Sequence, residues 1–257
     1  MGLIDIIIPV FNNAKTLDAT ISSVVKQSNF RECRVLISDD HSTDDSFEKI
    51  RVWSNRYPNI ESFRNTENVG VMSNYRTLVA ACSAEYIAPI EADDVWLSTT
   101  RLEILHSYLV GTKLNFCFNQ FLLNEGDQYR VGVEALSGRY RLLSPFDLIK
   151  TNYPASFTNC FYRRDTLMKS LEATKASKGY DWVLNTFIAA NHSEMGFVPH
   201  ILSSYYISPF GAWSALNNKS KAAKILESIA ELKALLPPKF RSALEAQSAH
   251  IKKTLHA

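Results

Sequence analysis

Three carboxylates fall within four positions at Glu91-Ala92-Asp93-Asp94, directly after the apolar run Tyr86–Ile90. Like charges that close repel one another unless a cation sits among them. Glu91 and Asp93 are one residue apart, which on an extended chain puts both on the same side, as shared coordination of a hard divalent ion requires. A solvated acidic turn leading into a helix has the same composition, and Thr100 with Glu103 has the spacing of a capping box for such a helix. A second acidic group, Asp39-Asp40-His41-Ser42-Thr43-Asp44, follows the short apolar run 34–38. Asp40 there reads either as a ligand-binding carboxylate or as a turn-capping residue. A third candidate, Asp181, opens an apolar-periodic stretch, where it is a helix cap or a carboxylate held ready to accept a proton.

The elements that would position these groups are legible as a repeating pattern. Leu3 to Val10 is a nearly continuous β-branched run, suited to a strand buried on both faces. A helical stripe follows over Thr16 to Gln27, then a strand at Arg34–Ser38, a helix from Asp45 to Tyr57, a turn-rich loop from Asn65 to Gly70 and a helix over Met72–Ala81. Alternating β and α elements predict a Rossmann-like half with a parallel sheet, and ligands of such sheets bind beyond the carboxyl ends of the strands. The later chain mixes elements. Helices are predicted over 98–109, 142–151, 166–173 and 181–190, and strands over 114–123, 156–163 and 197–207, with a hairpin turn at Asn124–Asp127. After Trp213, two helical patterns over 220–236 and 240–255 are split by Pro237-Pro238.

Composition sets outer bounds. With 46% hydrophobic and 21% charged residues the chain is an ordinary globular protein, and no segment runs 18 apolar residues without a charge. The N-terminus lacks a basic region ahead of an apolar one, so a cytoplasmic location is expected. Four cysteines tens of residues apart fit reduced thiols better than a disulfide or zinc framework. The net charge of +2 conceals an asymmetry, with eight Lys and Arg against three Glu from Leu216 to Ala257. That argues against a nucleic-acid binder built on the main domain. The tail helices either pack on the domain, form a dimer contact, or leave a peripheral contact with an anionic surface such as the inner face of the membrane.

Four segments together, Ile7-Ile8-Pro9-Val10-Phe11-Asn12, Ile37–Asp44, Asn68-Val69-Gly70 and Glu91-Ala92-Asp93-Asp94, resemble the family 2 glycosyltransferases of the GT-A fold. The resemblance is strong over roughly the first 100 residues, weaker to about residue 214, and absent from the tail. It implies an α/β fold with a glycosyltransferase domain over 1–214, divided into a nucleotide-sugar-binding half (1–97) and an acceptor half (98–214), followed by basic helices over 215–257. It implies an inverting transfer from a nucleotide sugar, UDP-linked by expectation, to a hydroxyl of a glycan or lipid-linked acceptor, as in bacterial surface polysaccharide synthesis. The implied cofactor is Mg²⁺ or Mn²⁺, held by Asp93 with support from Glu91 and Asp94. The donor would meet Pro9 and Phe11 around the base, Asp40 at the nucleoside, and Asn68, Gly70, Asn74, Glu91 and Asp93 on the ribose and diphosphate side. Asp181 is the implied base.

The chain departs from the family pattern in several places. Tyr180 replaces a glutamate before Asp181, and a metal-reaching histidine is missing from Tyr205-Tyr206-Ile207-Ser208, ahead of Gly211-Ala212-Trp213-Ser214. Ser73 stands where an arginine is common, and Arg76, three residues on, is expected to cover that phosphate contact. Asn159, Arg163 and Arg164 are further candidates for acceptor or diphosphate. These departures leave a catalytically impaired nucleotide-sugar-binding protein as the alternative. A nucleotidyltransferase or an NAD enzyme is excluded because Phe11-Asn12-Asn13-Ala14 is no glycine-rich loop.

Overall fold

A computed structural model describes residues 2–177, 180–208 and 213–255; Lys178, Gly179, Gly211 and Ala212 lie outside the described residues. The chain runs β1 (Ile4–Val10), α1 (Leu17–Val25), β2 (Arg34–Asp39), α2 (Ser46–Arg56), β3 (Ile60–Arg64), α3 (Val71–Ala81), β4 (Tyr86–Pro89), β5 (Val95–Trp96) and α4 (Arg101–Thr112). It continues with β6 (Phe116–Asn124), β7 (Tyr129–Val131), β8 (Arg141–Leu143), α5 (Pro145–Lys150), β9 (Cys160–Arg163), α6 (Arg164–Ala173), α7 (Asp181–Asn191) and β10 (Met195–Tyr206). Two helices close it, α8 (Asn218–Leu235) and α9 (Arg241–Leu255).

Among the described residues the strands form a single sheet in the order β3-β2-β1-β4-β9-β6-β10-β5, with β7 on β6 and β8 on β10. The first four strands are parallel. From β9 onward the sheet is mixed, β9 running antiparallel to both β4 and β6. Every residue of β1 is buried. Its alternation sends Ile4, Ile6, Ile8 and Val10 into a core shared with α1, α2 and α4, while Ile7 joins a second core with α3, α6 and α7. Burial on both faces is what a continuous β-branched run demands. A third, smaller core joins Ile149 of α5 and Val183 of α7 to Ile229, Leu232, Leu236, Phe240 and Leu244 from the tail.

Several sequence expectations need correction. Strand β3 was not expected, because its IESFR sequence has no clean alternation; as an edge strand only Ile60 is buried. The helix expected over 142–151 is shorter. Leu142 pairs with Gly196 in β8–β10, and Ser144 and Asp147 form a capping box that starts α5 at Pro145. The capping box expected of Thr100 and Glu103 does not form: Glu103 accepts a 2.7 Å bond from the Ser28 hydroxyl, tying α4 to the end of α1 instead. The strand expected over 156–163 begins only at Cys160, since residues 157–159 make a 3₁₀ turn with the Ser156 hydroxyl accepting from the Thr158 amide. Packing of the tail on the domain agrees with expectation: Ile229, Leu232 and Leu236 of its stripe are buried with Ile149 of α5 and Val183 of α7. Among the described residues no helix is long and apolar enough to cross a membrane.

Candidate active site

The loops at the carboxyl ends of β1 and β2 are sewn together by side chains accepting from backbone amides. The Ser42 hydroxyl accepts from Asn12 N at 2.9 Å and the Ser46 hydroxyl from Asn13 N at 2.9 Å, while Asn12 Oδ1 accepts from Thr43 N at 2.9 Å. Asp44 accepts from Ala14 N and Ser46 N, both at 3.0 Å. Asn12 and His41 take left-handed backbone conformations, φ 54° and 61°, that asparagine tolerates best among non-glycine residues. The residues of the acidic motif after β2 thus fix the shape of the first loop, a structural reason for their spacing.

Asp40, 2% exposed, does the same for the third loop. Its Oδ1 accepts from Val69 N at 2.9 Å and Asn65 Nδ2 at 2.8 Å, and its Oδ2 from Gly70 N at 2.9 Å. Gly70 has φ 83°, a conformation that favours glycine, and hands the chain to α3. On the first turn of α3, buried Asn74 donates to the Ser38 carbonyl at 3.0 Å. Asp40 Oδ2 accepts no second bond among those found in the described residues, which leaves it acceptor capacity.

Beyond β4, Glu91, Asp93 and Asp94 each offer a carboxylate oxygen within 4.8 Å of the others. Their environments differ. Asp94, 1% exposed, is held from three sides: Tyr206 N donates to Oδ1 at 2.8 Å, and the Thr158 and Ser156 hydroxyls donate to Oδ2. Thr158 Oγ1 also accepts from Glu91 N at 2.9 Å, so the 3₁₀ turn before β9 is pinned onto the acidic loop. Burial pushes the Glu91 carboxyl well above its ordinary pKa, and the charges of Asp94, Asp93 and Asp181 push it further. Burial raises Asp94 too, with the Asp93 charge next, and raises Asp93.

Asp181 is the first residue of α7 and accepts from Asn152 Nδ2 at 3.0 Å. Its place in the first helical turn suggests a low pKa. Burial wins, and the carboxyl is raised despite opposing bonds from Asn152 and from helix amides. A raised value suits a proton acceptor better than the resting value the sequence implies.

These groups meet around one cleft of ≈ 850 Å³. Its lining contains Pro9, Phe11, Asp40, Asn68, Gly70, Asn74, Glu91 and Asp93 from the strand ends and loops of the first half of the chain and the start of α3, and Asp181 from the start of α7. Asp94 is not a lining residue but a buttress behind them. Arg76 does not reach the cleft. Two residues past Asn74, it is turned some 200° around the helix, and its guanidinium donates to the Lys175 carbonyl at 3.0 Å. Asn159, Arg163 and Arg164 are occupied elsewhere, Asn159 with the Pro154 carbonyl, Arg163 with Glu85, and Arg164 with the Ser83 carbonyl and Asp165.

Sequence reasoning gave no binding or catalytic role to several other residues of the cleft. Lys150, Asn152, Tyr180, Trp182 and Tyr205 line it, as does Ser208 at the position of the missing histidine, and the tail adds Ile225, Ser228 and Gln247. An amphipathic count on α8 could have marked Ser228 as a polar position beside buried Ile229; nothing local marks Gln247.

The acidic cluster fits a hard divalent cation, because its donors are carboxylate oxygens and no Lys or Arg pairs with them among the described ion pairs. Asp93 and Glu91 line the cleft, whereas both oxygens of Asp94 are engaged.

A family model described as "Glycosyl transferase family 2" matches residues 5–171, ending before Asp181. The UDP-Glc:alpha-D-GlcNAc-diphosphoundecaprenol beta-1,3-glucosyltransferase WfgD of Escherichia coli is 29% identical over 119 residues, 46% of this chain and 46% of its own length. This chain therefore spans about half of that relative. Among solved structures, residues 1–349 of S. aureus TarS in complex with UDP-GlcNAc superpose with a TM-score of 0.73 at 14% identity, covering 98% of this chain and 71% of that one. The mannosyltransferase PcManGT of Pyrobaculum calidifontis, in complex with GDP-Man and Mn²⁺, superposes with a TM-score of 0.66 at 16% identity, covering 96% of this chain and 69% of that one. The mixed sheet with its covering helices is the GT-A fold.

Proposed function

We propose that this chain, which belongs to glycosyl transferase family 2, moves a sugar from a nucleotide sugar to a hydroxyl of a glycan or lipid-linked acceptor, with inversion at the anomeric carbon. The observation that carries this reading is that Asp93, in the loop after β4, and Asp181, at the start of α7, line the same cleft. A uridine nucleotide is the first donor to test, in keeping with the names of the E. coli relative and the S. aureus structure. The reaction belongs in our reading to bacterial surface polysaccharide synthesis on the cytoplasmic side of the membrane.

Phe11, 46% exposed at the cleft rim, and Pro9 offer the base an apolar slot. The spare acceptor capacity of Asp40, with Asn68 and Asn74, meets the nucleoside. Asp93 and Glu91 would hold Mg²⁺ or Mn²⁺, whose chemistry is to act as Lewis acid at the departing diphosphate. In the same cleft Asp181 takes the proton of the acceptor hydroxyl as its oxygen bonds to the anomeric carbon and the bond to the diphosphate oxygen breaks. Asn152 keeps the Asp181 carboxylate oriented. The facing aromatic side chains exclude water, which would otherwise compete as acceptor.

A thermal-shift panel of nucleotide sugars, with and without Mn²⁺, tests the reading, since a true donor binds only the folded form. One nucleotide sugar raises the melting temperature in a Mn²⁺-dependent way, and NMR of the transfer product shows the inverted anomer. A retained anomer would remove the single-displacement mechanism, and a flat panel would remove the donor site.

A further inference from the structure

We propose that α8, α9 and Lys150 together form the subsite for an acceptor saccharide carrying a phosphate group; this rests on the transferase reading above. The first support is the origin of the wall. The family match stops at residue 171, yet Ile225 and Ser228 of α8 and Gln247 of α9 line the cleft. Ile225 and Ser228 are three apart and so share one helical face. The neighbouring face of the pair is buried against α5 and α7 through Ile229, Leu232 and Phe240, which fixes where that wall stands.

A second support is how the tail grips the chain beside the base. Gln247 Nε2 donates to the Lys150 carbonyl at 2.9 Å, at the C-terminal end of α5. Two residues later Asn152 holds Asp181. α9 therefore anchors Lys150, the cationic residue of the cleft lining, two residues from the one that holds Asp181.

Charge and shape give the ligand class. The lining carries the carboxylates of Asp40, Glu91, Asp93 and Asp181, and Lys150 is its one Lys or Arg among the described residues. Lys150 is exposed and takes part in none of the ion pairs found among the described residues. In the transferase reading the donor's diphosphate belongs with the cation of the acidic loop, so an anion for Lys150 arrives on the acceptor. Tyr180 and Trp213 are 39% and 42% exposed, large rings open at the same wall. The Lys224 ammonium lies 5.9 Å over the Tyr180 ring on its tail side. Open aromatic faces with a hydroxyl nearby suit a pyranose, whose C–H face stacks while its hydroxyls hydrogen-bond.

The experiment measures transfer, with the donor found by the thermal panel, to three sets of acceptors. These are hexose and N-acetylhexosamine 1-phosphates, their neutral methyl glycosides, and their alkyl diphosphate esters in micelles. Phosphorylated acceptors are used with a kcat/KM roughly tenfold or more above their neutral counterparts, the scale of one charge-assisted hydrogen bond. Lys150→Met abolishes that preference through KM, while calorimetry gives an unchanged donor Kd. Ser228→Trp, which fills the wall, raises KM for every acceptor. Preference for the alkyl esters alone assigns the phosphate to a lipid carrier, and equal use of both phosphorylated sets assigns recognition to the phosphate itself; either supports the subsite. Equal use of neutral and phosphorylated acceptors by the wild-type protein overturns it, as does a Lys150→Met variant that loses donor affinity instead. A wild-type protein that binds no nucleotide sugar fails the transferase reading, a different result from either.

Discussion

The two walls of the cleft are held by different forces. On the proposed donor side, loops 11–14, 40–44 and 68–70 are joined by carboxylates, hydroxyls and amides accepting from backbone N–H groups at 2.9–3.1 Å. On the facing side the wall is an assembly of helices over a small apolar core, with side chains drawn from residue 150 to residue 247. Polar stitching fixes a loop to within a hydrogen bond's tolerance, and a nucleotide is the kind of ligand that rewards such a preformed site. Apolar docking of helices sets only where a wall stands, so its lining is free to differ between relatives that use different acceptors. The family match ends at residue 171, before most of that wall.

The sharpest way to separate the walls is Asp181→Asn. Transfer falls by roughly a thousandfold, the scale of a lost general base, while calorimetry shows donor affinity unchanged. Loss of both together would mean that the walls are one site. Asp40→Ala attacks the other side. It strands the Val69 and Gly70 amides and Asn65, costing roughly 2–4 kcal/mol of stability for the buried unpaired donors, read in urea unfolding, and it weakens the donor far more than the acceptor.

Asn152→Ala has a smaller effect, about tenfold on kcat. Its direction on pH is informative, because Asn152 lowers the Asp181 pKa. Without that bond the pKa rises further, so the acid limb of the rate profile moves to higher pH; a limb that stays in place would show another group titrating.

The smallest effect concerns the metal-free protein. Glu91, Asp93 and Asp94 have folded pKa values above their ordinary ones. Their contribution to stability is therefore fully present below the ordinary carboxylate range and is lost as pH rises through the raised values. Asp93→Asn removes one charge and raises the metal-free melting temperature at neutral pH by roughly 2–4 °C, about 1 kcal/mol, measured with chelator present. A lower melting temperature would mean that the cluster is already neutralised from within.

The same contrast explains what could be read from the sequence. Pro9, Phe11, Asp40, Asn68, Gly70, Glu91 and Asp93 lie at strand ends or in the loops after them and Asn74 on the first turn of α3, all within or beside the four segments that carry the family resemblance, and all line the cleft. Arg76 went wrong because its helical phase was set from Ser73, whereas Asn74 is the position that faces inward. In the rest of the lining Asp181 has a local signal as the first residue of a helix, and Tyr180, Tyr205 and Ser208 stand out only as departures from the family pattern. Lys150 and Gln247 are 97 residues apart, and what makes them neighbours is the docking of α9 on α5. No window of sequence contains that contact. Strand β3 and the short β5 and β8 escaped for a related reason, since edge and two- or three-residue strands owe their pairing to neighbours more than to their own alternation.

The proposed function rests on a divalent cation at Asp93 and Glu91 holding the donor's diphosphate in the cleft that Asp181 also lines. Titrating the nucleoside diphosphate of the donor into wild-type and Asp93→Asn protein, with and without Mn²⁺, tests it directly. The account predicts that Mn²⁺ tightens binding to the wild-type protein at least tenfold and leaves the variant's affinity unchanged. Equal tightening in both proteins, or none in the wild type, would contradict it.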